Sequence, residues 1–482
     1  MVFSSVIFLF FFLPFVLLVN AALPRRAQNA FLLLASLLFY AWGEFQYTAL
    51  LLASLGMNYL FGLGLTRSRS TEQRKAVLTA AIALNLGLLL AFRYAGFLID
   101  TLNTGLAAMA VRPVTWRPLH APIGISFITF HALSYVIDVY RGQTPAQRHP
   151  TRLGLYLAFF PKLIAGPITR YTSFAAQLVE RRTDVQRLAS GVQRFIVGLA
   201  KKLILANSLS VTADWAFALP AGELTLSAAW VGIVCYTLQI YFDFSGYSDM
   251  AIGVGRILGF ELPENFNYPY VSRSIREFWR RWHITLGAWF RDYLYLPLGG
   301  NRRSPARTYL NLVIVFFLCG LWHGAAWTFI LWGLLHGALL ALERTRFGRL
   351  LARLPAAISH LYVLLAISIG WVFFRAESLA AAWHYLACMF GFSTAAEVCF
   401  DVWSHMDVER WVMIALSLLG SLPWLPRLRA MMLRKGTADP GSTSAMHWAP
   451  GILGLVGLIA LLLLSAIQLA GSTHNPFIYF KF

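Results

Sequence analysis

The chain carries one apolar run after another, at about 3–22, 29–42, 46–66, 76–98, 121–140, 153–168, 189–210, 225–244, 309–331, 354–374, 380–392, 410–425 and 449–470. An α-helix rises about 1.5 Å per residue, so roughly 20 apolar residues cross the ~30 Å hydrocarbon core of a bilayer. In lipid every backbone N–H and C=O must be satisfied within the protein, which leaves helices as the form open to such runs. The runs predict an all-α polytopic membrane protein with roughly 10 to 13 membrane helices. Charged residues make up 13% of the chain, against about 25% in soluble domains, so soluble domain counting by length does not apply. Residues 1–482 read as a single integral membrane domain without internal repeats.

The charges that are present sit mostly between the runs. There are 40 Lys and Arg against 21 Asp and Glu, a net +19. In a soluble protein such an excess suggests nucleic acid. Here the clusters Arg25-Arg26, Arg67 to Lys75, Arg141 to Arg152, Arg302 to Arg307, Arg344 to Arg353 and Arg427 to Lys435 fit the positive-inside bias that orients membrane spans. Arg25-Arg26 and Arg67 to Lys75 flank two runs broken at Gly43-Glu44, so two crossings return the chain to one side. Span 76–98 then leads out, 99–120 forms a mostly external loop, and 121–140 returns to Arg141. The run Val2 to Val19 lacks the basic n-region of a signal peptide, which predicts a retained first span with its N-terminus outside. Cys235, Cys319, Cys388 and Cys399 show no CxxC spacing and read as packing residues, and no metal-ligand signature is present.

Three segments do not fit a simple span. Phe159 to Pro167 holds Pro161, Lys162 and Pro167, and proline removes a backbone donor, so it reads as a kinked or re-entrant element packed against protein. Residues 436–445 (GTADPGSTSA) read as a flexible loop before the last span. Arg273 to Tyr295 is amphipathic at helical spacing. Arg276, Arg280, His283, Gly287 and Arg291 form one stripe, and Phe278, Trp282, Leu286, Trp289 and Tyr293 another, as in an interfacial helix with aromatics at headgroup level.

Ionisable side chains within spans are rare and costly, and so are the first candidates for function. His323 lies in Cys319-Gly320-Leu321-Trp322-His323-Gly324-Ala325-Ala326-Trp327. A helix entering the membrane after Arg307 would carry it about 22 Å, past the midplane. Histidine exchanges a proton near neutral pH, which suits a general base. A packing histidine bonded to a neighbouring carbonyl is the alternative. His283, among arginines, is the second candidate, with an ordinary interfacial histidine as its alternative. His336 falls roughly 220° around an ideal helix from His323 and reads as packing. Asp243, Ser245, Tyr247 and Asp249 form a polar knot in QIYFDFSGYSD (239–249), either lining a pocket or capping a helix end. Trp322 joins them as a pocket candidate. Cys319 reads as packing, although a Cys–His dyad with a thioester intermediate is conceivable.

With these residues in hand, the chain resembles the membrane-bound O-acyltransferase (MBOAT) family over essentially its whole length. The resemblance rests on Gln239 to Asp249, Phe278-Trp279-Arg280-Arg281-Trp282-His283, Leu321-Trp322-His323-Gly324 and the aromatic terminus Asn475 to Phe482. Met1 to Ser5, Phe39-Tyr40-Ala41-Trp42 and Gly166-Pro167-Ile168 are similar to the bacterial branch that acetylates exported polysaccharides, alginate foremost. Relatives that D-alanylate teichoic acid or O-acetylate peptidoglycan or cellulose share these motifs. The resemblance implies a ring of helices around a thin centre, where cytosolic and external funnels meet at His323, with His283 as the second family histidine. It implies acyl transfer in the bacterial inner membrane with no bound cofactor. The co-substrate is acetyl-CoA or another acyl thioester, drawn by basic loops and by Arg276 and Arg280. The partners implied are membrane lipid, a periplasmic acetyltransferase and the exported polysaccharide, with no nucleic acid. Two rival classes share the buried polar residues: a transporter of lipid-linked sugar, and a non-catalytic scaffold of a secretion complex.

Overall fold

The computed structural model describes residues 2–181, 183–220, 222–392, 402–424, 445–471 and 478. Among them the ordered elements are helices, and no strand occurs. Six continuous helical runs are long and apolar enough to cross a membrane, and four shorter apolar helices accompany them. This is an all-α, multi-pass membrane protein. The run Arg25–Arg67 leaves helical geometry at Glu44 (φ −138°, ψ 49°) and divides into Arg25–Glu44 and Thr48–Arg67. Both halves pack on the short helix Pro150–Ala158, as the two expected crossings require.

The basic helix ends gather at one face. Arg74 donates to the Tyr140 carbonyl (2.9 Å), and Arg141 to the carbonyl of Asp292 (3.2 Å). At the opposite ends, the Glu44 carboxylate meets the His120 ring and the Ile123 N–H, each at 3.2 Å.

The long helix Leu226–Ile257 forms the centre of the molecule, packed against Val185–Ala200 and Asn207–Ala218. Glycines allow the closest of these contacts. A Cβ at Gly198 would stand 2.6 Å from the Gly246 carbonyl oxygen, and one at Gly246 would stand 2.7 Å from that of Gly198. Backbones touch here, the small-residue mode of packing in membranes.

Four expectations are revised. The loop expected from 99 is still helical through Ala108. Leu226–Ile257 runs without a break through the 239–249 knot, so Asp243 and Ser245 cap no helix end. The amphipathic segment is not one helix: Ile275–Arg281 and Ile284–Phe290 meet at His283, which takes a left-handed conformation. Phe278, Trp282, Leu286, Trp289 and Tyr293 are buried in the protein core, not placed at headgroup level, because the segment folds inward under the spanning helices. The 309–331 run is also broken. Pro305–His323 ends at an extended Gly324 (φ −168°, ψ 148°), and Trp327–Leu342 returns beside it. At 16 residues, that return helix is about 24 Å long, short of the ~30 Å core.

Phe159 to Pro167 is buried within the protein as expected. Lys162 is fully enclosed, its Nζ lying 3.9 Å from the centre of the Tyr156 ring. Cys235, Cys319 and Cys388 are buried and unbridged. The 436–445 loop, apart from the helix-starting Ala445, lies outside the described residues, as do Cys399, the 427–435 cluster and all of the C-terminal motif except Ile478.

Candidate active site

The helix that delivers His323 starts with Ser304 as N-cap, its hydroxyl accepting from the Arg307 N–H (3.2 Å), and Pro305 in the first turn. Both are favourable at a helix start. The far end is fixed by the return helix. A Cβ on Gly320 would lie 2.3 Å from the Phe329 carbonyl oxygen, and one on Gly333 would lie 2.2 Å from that of Phe316. The pair therefore crosses backbone to backbone, and His323 sits where the first helix stops. Its imidazole is 3% exposed and packs on the rings of Trp322, Trp332 and Phe374, with centroids 4.8, 4.9 and 5.1 Å away.

A helix end leaves carbonyls without intrahelical partners. Arg93, from a π-helical turn Leu90–Tyr94, answers this one. It donates to the carbonyls of Trp322 and His323, both at 2.9 Å, and to the Ser126 hydroxyl at 2.9 Å. A guanidinium fork suits two neighbouring acceptors. Sequence reading missed Arg93. The signal was a lone arginine inside an apolar run; its partners, Ser126 and the carbonyls of Trp322 and His323 some 230 residues away, carry no local signature.

His283 stands across Trp322, whose ring lies 6.0 Å from the His283 imidazole and 4.8 Å from that of His323. The structure thus brings His283, Trp322 and His323 together. His283 is 1% exposed, and its Nδ1 lies 3.1 Å from Oδ1 of Asn265, another residue sequence reading passed over. The indole N–H of Trp322 and Nε2 of His283 are buried without a hydrogen-bond partner among the described residues.

The remaining pocket candidates do not join this group. Asp243 pairs with Lys202 (2.7 Å), both side chains at most 2% exposed, and its other oxygen accepts the Ile478 N–H (2.8 Å). Asp249 is held by Lys201 and Arg194, each at 2.7 Å. Tyr247 stacks on Phe3 with centroids 4.6 Å apart. Ser245 is buried. His336 is packed between Trp279 and Trp332.

Arg276 and Arg280 line a cavity of about 540 Å³ on the basic face. Arg291 and Arg344 complete a rim of four arginines with no carboxylate in the lining, and the depth is apolar, through Leu312 and Phe316 to Cys319. Cys319 is one helical turn before His323, and Ile284, next to His283, also faces the cavity. Such a space matches a ligand with an anionic head and a slender, less polar tail.

A many-span protein with two enclosed imidazoles, each at a helix end, and a cavity with cationic walls lined by the nearby Ile284 and Cys319, belongs with the membrane-embedded transferases. Comparison with known proteins gives the family. The description "membrane-bound O-acyltransferase family" matches residues 125–398, more than half of the chain, and the chain belongs to that family. It is an O-acyltransferase. It is 40% identical to the probable alginate O-acetylase AlgI of Azotobacter vinelandii, with all of both chains covered. It is 35% identical to the peptidoglycan O-acetyltransferase of Helicobacter pylori over 81% of this chain and 80% of the other. The teichoic acid D-alanyltransferase of Bacillus subtilis is 31% identical over 46% of this chain and 60% of its own.

Proposed function

We propose that the protein moves an acetyl group from a cytosolic thioester to a hydroxyl at the other side of the bacterial inner membrane, for O-acetylation of an exported polysaccharide of the alginate type. The observation that carries this reading is the cavity, lined by four arginines and by Cys319, which is one helical turn before His323. The positive-inside bias makes that face cytoplasmic and puts the N-terminus outside. Acetyl-CoA is the donor that fits: its phosphates meet Arg276, Arg280, Arg291 and Arg344, and its thioester arm follows the apolar depth.

His323 acts as general base. It takes the proton of the attacking hydroxyl as the oxygen bonds to the acetyl carbon. The carbon–sulfur bond then breaks, and the same proton passes to the departing thiolate, so the products are an acetyl ester and free thiol. Arg93 holds the backbone from which the imidazole projects. The ester leaves on the outer side, carried by a periplasmic acetyltransferase that hands it to the polymer. The full-length likeness to alginate O-acetylases supports alginate as the acceptor.

The test is ester-linked acetate on exported polymers, measured with the protein, without it, and with His323→Ala. The account expects acetate only with the intact protein. Acetate on peptidoglycan alone would keep the chemistry and change the acceptor; acetate unaffected by His323→Ala would remove the assignment.

A further inference from the structure

We infer that Asn265 is a positioning residue for His283, and that it sets this imidazole to accept, not donate, a hydrogen bond at the reacting end. The inference rests on the acyl-transfer reading above.

Asn265 is 1% exposed, in the segment between Leu226–Ile257 and the helix pair of His283. Its amide orientation is fixed by its neighbours. The backbone N–H of Thr285, which can only donate, points at Oδ1 (3.3 Å), and the Thr285 hydroxyl donates to the same oxygen at 2.9 Å. On the other side, Nδ2 donates to the Ser248 hydroxyl (3.2 Å). Oδ1 is therefore an acceptor, and the ring nitrogen that faces it at 3.1 Å, Nδ1 of His283, carries the proton. A neutral imidazole protonated at one nitrogen has a lone pair at the other. That other atom, Nε2, is buried and has no partner among the described residues.

The backbone is held by the same residue. His283 has φ +44° and ψ 52°, a left-handed conformation unusual for a side chain of its size. Such a conformation persists where surrounding contacts over-determine it, and it concentrates at functional sites. The backbone carbonyl of Asn265 accepts the Ile284 N–H (3.0 Å), so Asn265 grips residues 283, 284 and 285 in turn. Ser248, from the 239–249 motif, orients Asn265 and thereby gives that motif a part in the site.

The consequence concerns the ligand. A lone pair at Nε2 repels a carbonyl oxygen and attracts an O–H or N–H. The attacking hydroxyl has a single proton, which goes to His323, so His283 receives its hydrogen bond from an amide N–H of the thioester arm. It does not polarise the thioester carbonyl.

The test uses membranes containing the full chain, acetyl-CoA labelled in the acetyl group, and alkali-labile incorporation per amount of protein. Asn265→Leu removes the acceptor, and Asn265→Asp keeps one. Asn265→Leu should lower kcat about 100-fold, the scale of a reacting group misplaced by about 1 Å, with KM for acetyl-CoA changed less than about threefold. Asn265→Asp should recover at least about a tenth of wild-type kcat, since Nδ1 keeps its acceptor. A kcat for Asn265→Leu within about threefold of wild type would overturn the inference, as would an Asn265→Asp no better than Asn265→Leu while present at wild-type level, or an effect confined to KM. Wild-type membranes that transfer no label from acetyl-CoA would instead remove the donor reading, and this inference with it.

Discussion

Two of the polar clusters buried among the described residues are finished differently. In the 239–249 knot each carboxylate has cations: Asp243 meets Lys202, and Asp249 meets Lys201 and Arg194. Around His283 the polar atoms are only half satisfied: Nδ1 of His283 meets Asn265, while its Nε2 and the indole N–H of Trp322 have no hydrogen-bond partner among the described residues. An ionisable group in apolar surroundings is expensive, and pairing removes most of that cost. The cluster of paired charges therefore reads as framework, joining Val185–Ala200 and the following turn to Leu226–Ile257, although its neutral Gln239 Oε1 and Ser245 Oγ are buried without a hydrogen-bond partner among the described residues. The open one reads as chemistry, where a ligand supplies the missing partners.

This contrast can be broken from either side. The largest effect should come from His323→Ala, which removes the proposed base and should lower acetyl transfer by about 10³-fold with the protein still at wild-type level in the membrane. Loss of protein in parallel with activity would move His323 into the framework class. Next is Asp243→Ala, which takes the carboxylate from a buried Lys202. Breaking a buried pair costs about 3–5 kcal/mol, so detergent melting should fall sharply, while Lys202→Met with Asp243→Leu should recover most of it. An Asp243→Ala protein of normal stability and no activity would place that carboxylate in the site.

Arg93→Met should come third. It releases the end of the His323 helix, and a displacement of about 1 Å at a reacting group costs roughly 100-fold; kcat should fall while KM for acetyl-CoA holds. Arg93→Lys, a point charge without the fork, should recover only part of the rate. The smallest effect is expected at the cavity rim. Arg276→Gln with Arg280→Gln should raise KM for acetyl-CoA about tenfold with kcat unchanged, and the difference should shrink as salt rises. An unchanged KM would separate that cavity from donor binding.

Much of the frame is legible in the sequence because it depends on composition and period. Apolar runs, basic helix ends and the buried proline segment need no knowledge of neighbours. Breaks inside apolar runs are harder. Gly324-Ala325-Ala326 is a weak stop signal, and the helix ends there because Trp327–Leu342 returns across it at Gly320 and Gly333. His283 and His323 are visible as ionisable residues of the right kind, whereas Asn265 and Arg93 act through contacts distant in the chain. The knot was misjudged for a related reason. Lys201-Lys202 in one apolar run, with Asp243 in another and Asp249 just beyond it, already announce two helices that neutralise each other, a signal that appears only when the runs are read as pairs.

The central claim is that a thioester enters from the arginine-lined face and reacts at His323. Labelled acetyl-CoA supplied to sealed vesicles tests this directly. Inverted vesicles, with the basic face outward, should form alkali-labile acetyl ester, while right-side-out vesicles and inverted vesicles carrying His323→Ala should form none. Equal labelling of both orientations, or labelling that survives His323→Ala, would contradict the account.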